Sequence, residues 1–217
     1  MYKTVVFDLD GTLLNTLTDL ADAGNRLCRK YGWPTHERQA YRYFVGNGIP
    51  KLVERLAPAD QRTPAVLEAA LAAFKRDYGQ HLRDTTAPYP GIPEMLAKLK
   101  ANGVQLAVFS NKADALAKEV VKDYFGTQYF TIVRGQMTGV APQPAAAGPN
   151  ALLQALHADP ASTLYVGDSN VDVETAHNAN LPCCGAVWGF RTREELNAAG
   201  AEYLAENSDE LYDVIMK

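Results

Sequence analysis

Cysteine is scarce in this chain: Cys28 and the adjacent pair Cys183-Cys184 are the only three. An odd number without a CxxC spacing supplies neither a disulfide framework nor a tetrahedral zinc site, so reduced, buried thiols are expected. Long apolar runs are also missing. No stretch approaches the ~20 residues of a membrane-spanning helix. The N-terminus passes from Met1-Tyr2-Lys3 straight into Thr4-Val5-Val6-Phe7, without the layout of a signal peptide. These absences predict a cytoplasmic protein with no membrane partner. A basic surplus is absent too, with 21 Lys+Arg against 25 Asp+Glu and a net charge of −4. That balance leaves no footprint for nucleic acid. A phosphorylated ligand would have to be held by a metal and local donors, because the overall field does not attract it. His36, His81, His157 and His177 are scattered, match neither metal nor triad spacing, and are read as surface or structural. Finally, no lysine occurs between Lys122 and Lys217.

What is present is ordinary for a globular protein: 217 residues, 47% hydrophobic and 21% charged, enough for one α/β domain or a core with an insert. Val5-Val6-Phe7 reads as a first strand ending at Asp8. Residues 16–31 read as a helix stopped by Gly32-Trp33-Pro34. Between residues 36 and 86 no strand is evident; 51–56 and 64–79 read as helices, the latter with Pro64 at its start. After Pro88-Tyr89-Pro90-Gly91 the pattern changes. A helix to about Asn102-Gly103 precedes the strand 104–109, and short strands follow at 129–133, 163–166 and 186–187, with helices between them. Strands separated by helices predict a parallel sheet with crossovers, and such sheets carry their chemistry at the carboxyl ends of the strands. Residues 141–149 form a Pro- and Ala-rich, uncharged loop leading into a helix at 150–157. Trp33, Trp188 and the Cys183-Cys184 pair are read as packing residues.

Three strand ends carry chemistry-bearing residues. Asp8-Leu9-Asp10-Gly11-Thr12 places two carboxylates two residues apart, with a glycine for a tight turn and a threonine offering a hydroxyl and an amide to an anion. A carboxylate nucleophile divides a hydrolysis into two steps, and a neighbouring acid/base serves the proton in each. Phe109-Ser110-Asn111-Lys112 offers a hydroxyl, an amide and an ammonium to bind a phosphoryl group; alternatively Ser110 and Asn111 merely cap a helix and Lys112 is solvated on it. Gly167-Asp168-Ser169 follows a third strand, with Asp172 one helical turn further on.

Asp8-Leu9-Asp10-Gly11-Thr12-Leu13-Leu14-Asn15-Thr16 resembles the first motif of the haloacid dehalogenase superfamily, and the helical insert after it resembles that superfamily's α-helical cap. The resemblance covers essentially the whole chain and comes closest to the phosphoglycolate phosphatases. It implies a Rossmann-like parallel sheet core at residues 1–15 and 87–217, and a cap at 16–86. It also implies Asp8 as phosphoryl acceptor, Asp10 as general acid/base, and Ser110 on the second motif. Mg²⁺ would be held by Asp8, the main-chain carbonyl of Asp10 and Asp168, with Asp172 orienting a ligand or a metal-bound water. Gly46-Asn47-Gly48 resembles the cap loop that meets a small substrate, and hinges fall near Asn15-Thr16 and residues 86–88. The expected ligand is a small phosphorylated metabolite, and the expected assembly a monomer or homodimer.

One feature of the family pattern is missing. Its lysine before the fourth-motif strand corresponds here to Gln143 or, by the Pro-x-Pro spacing, to Ala141, neither of them charged. Lys112 or Arg134 would have to reach in, or turnover would be slow, or the protein would only bind phosphate esters. A pyrophosphatase or phosphosugar mutase would fit the same motifs.

Overall fold

The structure is a computed structural model describing residues 1–217. Thr4-Val5-Val6-Phe7 is an unbroken β-branched and aromatic run, and it forms β1 (Thr4–Phe7) with every residue buried. Such a run without polar alternation belongs in a strand covered on both faces. The chain divides into two compact units, Met1–Leu14 with Pro88–Lys217, and Asn15–Ala87. It passes between them at two short strands, β2 (Leu14–Asn15) and β3 (Ala87–Pro88), which make a separate two-stranded sheet.

The unit Asn15–Ala87 is helical. α1 (Leu17–Tyr31) ends at Gly32, whose φ of 69° is the left-handed C-terminal position that glycine takes without strain, and Trp33 N–H donates to Cys28 O at 2.8 Å to close the last turn. α2 (Arg38–Phe44) has a weak local signal. It is held by aromatic packing of Tyr41 and Phe44 on each other and on His36. Short helices of this kind draw their stability from tertiary contacts. α3 (Ile49–Leu56) starts two residues before the expected 51, because Pro50 suits a first turn. α4 (Pro64–Gln80) has Pro64 at the start, a Thr63 cap on Val66 N–H, and a buried stripe of Ala70, Ala73, Phe74 and Tyr78. Arg26 on α1 and Asp77 on α4 form a half-exposed ion pair at 2.8 Å.

The two ends of this unit are joined by one buried carboxylate. Asp19, 2% exposed, accepts at Oδ1 from the N–H and hydroxyl of Thr85 (2.9 and 2.5 Å). Its Oδ2 accepts from the N–H and hydroxyl of Thr86 (2.9 and 2.7 Å). The first turn of α1 is thereby tied to the segment that leads out of the unit.

The other unit continues with α5 (Ile92–Ala101), β4 (Gln105–Ala113), α6 (Asp114–Phe125), β5 (Phe130–Gln136), α7 (Ala147–Leu156), β6 (Thr163–Gly167), α8 (Asn170–Asn178), β7 (Cys183–Ala186), α9 (Arg193–Ala199), β8 (Tyr203–Ala205) and α10 (Ser208–Met216). Its six strands run parallel in the order β5-β4-β1-β6-β7-β8. Strand order reverses at β1, where β4 and β6 lie on opposite sides, and a sheet of this kind opens a crevice at the carboxyl ends beside such a reversal. Phe7 stands opposite Val108 on one side and Val166 on the other. That register brings the residues after β1 level with Phe109-Ser110 and with Gly167-Asp168. Beneath, Val6, Tyr165, Leu152 and Val173 share a buried apolar cluster.

Several boundaries differ from the sequence reading. β4 runs on to Ala113 instead of stopping at Phe109, because Ala113 still pairs with Gln136 of β5 after an irregular register. β7 covers Cys183–Ala186 rather than 186–187, and α7 begins at Ala147, three residues early, with Gly148 and Pro149 in its first turn. β8, α9 and α10 had no counterpart in that reading. A strand of three residues has almost no periodicity to detect, whereas the Thr192–Glu195 capping box of α9 was a readable signal.

Replacing Asp19 by Ala strands two main-chain N–H groups and two hydroxyls. A loss of about 2–4 kcal/mol is expected, read as a lower urea midpoint. Asp19→Asn, which keeps one acceptor oxygen, lies between the two; an unchanged midpoint in Asp19→Ala would contradict the tie.

Candidate active site

The turn after β1 is built around main-chain bonds. Asp8 N–H donates to Val166 O at 2.8 Å, holding Asp8 in the ladder, while Leu9 O accepts from the N–H groups of Thr12, Leu13 and Leu14 at 3.0–3.3 Å. Gly11 sits at φ 98°, and a Cβ there would lie 2.3 Å from Asp168 Oδ2. Glycine is therefore required both by the backbone and by the approach of the third segment. Thr12, expected to bind an anion, is fully buried and gives its hydroxyl to Asp168 Oδ1 at 3.1 Å.

Asp168 leaves the end of β6 and is 1% exposed. Its other oxygen accepts from Phe190 N–H at 2.6 Å, on the turn after β7. Gly189 lets that turn come close: a Cβ there would meet Asp168 Cβ at 2.2 Å and Gly11 O at 2.6 Å. Trp188 Nε1 donates to Thr12 O at 3.0 Å, so this tryptophan does pack against the site. Asp172, in the first turn of α8, accepts at Oδ2 from Ser169 N–H (3.0 Å), Ser169 Oγ (2.7 Å) and Asp168 N–H (3.2 Å).

Asp8, Asp168 and Asp172 come together. One carboxylate oxygen from each lies within 4.8 Å of the other two, and all three residues are buried. Burial, then the charges of Asp172, Asp168 and Asp10, push the Asp8 carboxyl well above its usual range. Burial and the neighbouring Asp172 raise Asp168 to about 7, offset in part by Phe190 N–H, Thr12 and Arg191. Burial raises Asp172 to about 6 against the pull of the Ser169 donors, Asp168 N–H and Arg191. Hard oxygen donors crowded this closely, and driven toward protonation by burial and mutual repulsion, suit a small divalent cation such as Mg²⁺.

Arg191 escaped the sequence reading. It is 7% exposed, its N–H donates to Asp168 O at 3.3 Å, and its charge opposes the rise of both Asp168 and Asp172. No local pattern marks it, since its role follows only from the packing of the β7–α9 turn on Asp168.

The β4 end supplies Ser110, Asn111 and Lys112, all buried and all on the strand rather than on a helix. Ser110 Oγ accepts from Lys112 N–H at 3.3 Å. Asn111 faces the Pro-rich segment: its Oδ1 accepts from Gln143 N–H at 2.9 Å, and its Nδ2 lies 3.5 Å from Gln143 O. Lys112 Nζ stands 3.0 and 3.2 Å from the two oxygens of Asp10. Of its two readings, the solvated helix residue is ruled out: Lys112 is buried on β4 beside Asp10. Against burial, Lys118 and Gly135 N–H hold the Asp114 carboxyl low, and the charge of Arg134 adds to them. Gly46, Asn47 and Gly48 form the turn before α3 within the helical unit, with φ of 114° and 81° at the glycines. Arg55 donates to Asn47 Oδ1 at 2.8 Å and to Phe44 O at 2.7 Å.

Comparison with known proteins places this geometry in context. The family model described as haloacid dehalogenase-like hydrolase matches residues 5–186. The chain is 32% identical over 194 residues to a phosphoglycolate phosphatase of Thiobacillus denitrificans, covering 87% of this chain and 84% of that protein. It is 31% identical to one of Chromobacterium violaceum, covering 98% and 96%. A solved structure from Lactobacillus delbrueckii subsp. bulgaricus superposes with a TM-score of 0.93 at 27% identity, over 99% of this chain and 98% of that one. No helix is long and apolar enough to cross a membrane.

Carboxyls whose folded-state pKa stands above the unfolded value bind more protons folded than unfolded, so stability falls as pH rises between those values. For Asp172 and Asp168 that window runs from 3.8 to about 6 and about 7 respectively. Metal-stripped protein is expected to melt at a lower temperature at pH 8 than at pH 5, and Asp168→Asn to flatten that slope. Mg²⁺ should raise the melting temperature more at pH 8, where the carboxylates are already deprotonated. Equal Mg²⁺ shifts at both pH values would contradict the carboxylate cluster as a cation site.

Proposed function

The chain belongs to the haloacid dehalogenase-like hydrolases, and from that premise we propose that it is a Mg²⁺-dependent phosphatase of small phosphomonoesters, with 2-phosphoglycolate the favoured substrate. The carrying observation is the buried convergence of Asp8, Asp168 and Asp172, with Asp10 two residues from Asp8 on the same turn. The substrate choice rests on relatives named phosphoglycolate phosphatase that align along nearly the whole chain.

In this reading the Asp8 carboxylate attacks phosphorus. The P–O bond to the leaving group breaks, its electron pair goes to the alkoxide, and Asp10 donates the proton that alkoxide needs. Asp10, now a carboxylate, takes a proton from water as that water attacks the aspartyl-phosphate, releasing inorganic phosphate and restoring Asp8. Asp8, Asp168, Asp172 and the main-chain carbonyl of Asp10 would hold Mg²⁺. When bound, the ion neutralises this cluster and offsets charge on the phosphoryl oxygens. Ser110 donates its hydroxyl to a phosphoryl oxygen. Thr12 and Asn111 serve indirectly, one by orienting Asp168 and the other by fixing the segment around Gln143. The helical unit Asn15–Ala87 is read as the family's α-helical cap, with Gly46-Asn47-Gly48 as its candidate substrate loop.

Asp8→Asn should lower kcat on 2-phosphoglycolate by about 10³ or more, and EDTA should do likewise. Asp10→Asn should cost less on p-nitrophenyl phosphate, whose leaving group needs no proton, than on 2-phosphoglycolate. Equal phosphate release by wild type and Asp8→Asn, or none from either across a panel of esters with Mg²⁺, would defeat the proposal.

A further inference from the structure

We infer that the positive charge accompanying phosphoryl transfer in this protein has moved from the Pro-rich segment before β6 to β4, where Lys112 supplies it as a positioning residue acting through Asp10. The inference rests on the phosphatase reading above and adds to it the identity of the cation.

The Pro-rich segment cannot provide that charge. Gln143 is 4% exposed and spent on neutral partners: Nε2 donates to Phe109 O and to Tyr165 Oη, both at 3.1 Å, and its N–H donates to Asn111 Oδ1 at 2.9 Å. Burial first, and then the charges of Asp172, Asp8 and Asp168, push the Tyr165 hydroxyl well above its ordinary pKa. Gln143 therefore carries no charge, and its amide pairs with a tyrosine hydroxyl that feels the charge of the carboxylate cluster. A lysine in its place would occupy the same slot with three donors instead of two.

Lys112 approaches from the other strand. Its side chain is 2% exposed, and Nζ bridges both oxygens of Asp10, whose own side chain is 14% exposed. An ammonium is taken out of water at this depth only when a charge compensates it, and a four-carbon stem loses its rotamer freedom in the process. An exposed ion pair would be worth little, but this one is shielded from solvent on the lysine side, so its field reaches Asp10 with little screening. The bridge to both oxygens fixes the plane of the Asp10 carboxylate. It also places a permanent positive charge where negative charge develops as the ester bond breaks, which is the condition under which a fixed charge lowers a barrier. Ser110, two residues before, shares the same short stretch of β4 through the Lys112 N–H, so one strand end carries both the phosphate donor and the cation.

The experiment is a charge transplant on the full-length chain, assayed with Mg²⁺ on 2-phosphoglycolate and p-nitrophenyl phosphate. Lys112→Met, or Lys112→Gln if only that variant keeps the wild-type melting transition, is expected to lower kcat about 10²–10³-fold with KM moving less than about threefold. Lys112→Arg should retain kcat within about tenfold. Gln143→Lys placed in the Lys112→Met background should recover at least about tenfold of the loss, whereas Gln143→Lys alone should raise wild-type kcat by less than about threefold. Recovery of this kind is coupling between two sites that a packing role for Lys112 would not produce. A loss below about tenfold in the neutral Lys112 variant overturns the inference, as does absence of recovery in the double variant. So does a large gain from Gln143→Lys alone, which would show that the native site lacks a cation. Wild-type activity that depends on Asp8 but not on Lys112 removes this inference and leaves the phosphatase reading intact; an inactive wild type removes both.

Discussion

Mutual repulsion among Asp8, Asp168 and Asp172 is the interaction around which the rest of the molecule is arranged. Three carboxylates within 4.8 Å of one another and out of water form an assembly that no isolated chain segment would tolerate. The surrounding structure offsets it with donors from every neighbouring element. Phe190 N–H and Thr12 Oγ1 address Asp168, Ser169 addresses Asp172, and Arg191 sits near both. These donors lower the cost without removing it, and all three carboxyls remain raised. The folded chain therefore carries a buried cluster of carboxyls able to hold a cation.

The same constraint explains the two close glycine contacts. Asp168 can be reached by donors from two turns only if both turns come within van der Waals distance of its carboxylate. Gly11 and Gly189 leave room that any Cβ would fill. The turn after β7 thus belongs to the site as fully as the three strand ends do. It supplies one main-chain donor, one buried guanidinium and the indole of Trp188, which holds the Thr12 carbonyl.

A neutral amide at position 143 changes the electrostatic plan rather than the fold. Gln143 still joins β4 to the Pro-rich segment through Asn111 and Phe109, so the scaffold that a lysine would have shared is intact. The positive charge of this region stands on Lys112, paired with Asp10. Lys112 pairs with Asp10, while the amide of Gln143 pairs with the Tyr165 hydroxyl. Family membership, shown by a match over residues 5–186, constrains the architecture but leaves this distribution of charge to the individual chain.

The sequence by itself determined the elements whose signal is local. The apolar run of β1, the Pro-started α4, the Gly32 stop of α1 and the strand-ending Asp8, Asp10 and Asp168 are readable because backbone preference and side-chain pattern act over a few neighbours. Tertiary structure alone decided whatever depends on residues far apart in the chain. The extension of β4 to Ala113 comes from pairing with β5, and the existence of α2 comes from aromatic packing. The place of Arg191 comes from a turn folding over Asp168, and Lys112 rather than Arg134 is the cation at Asp10 because the fold sets Lys112 beside Asp10 and Arg134 near Asp114. Electrostatic partnership is set by distance in space, to which spacing along the chain is blind.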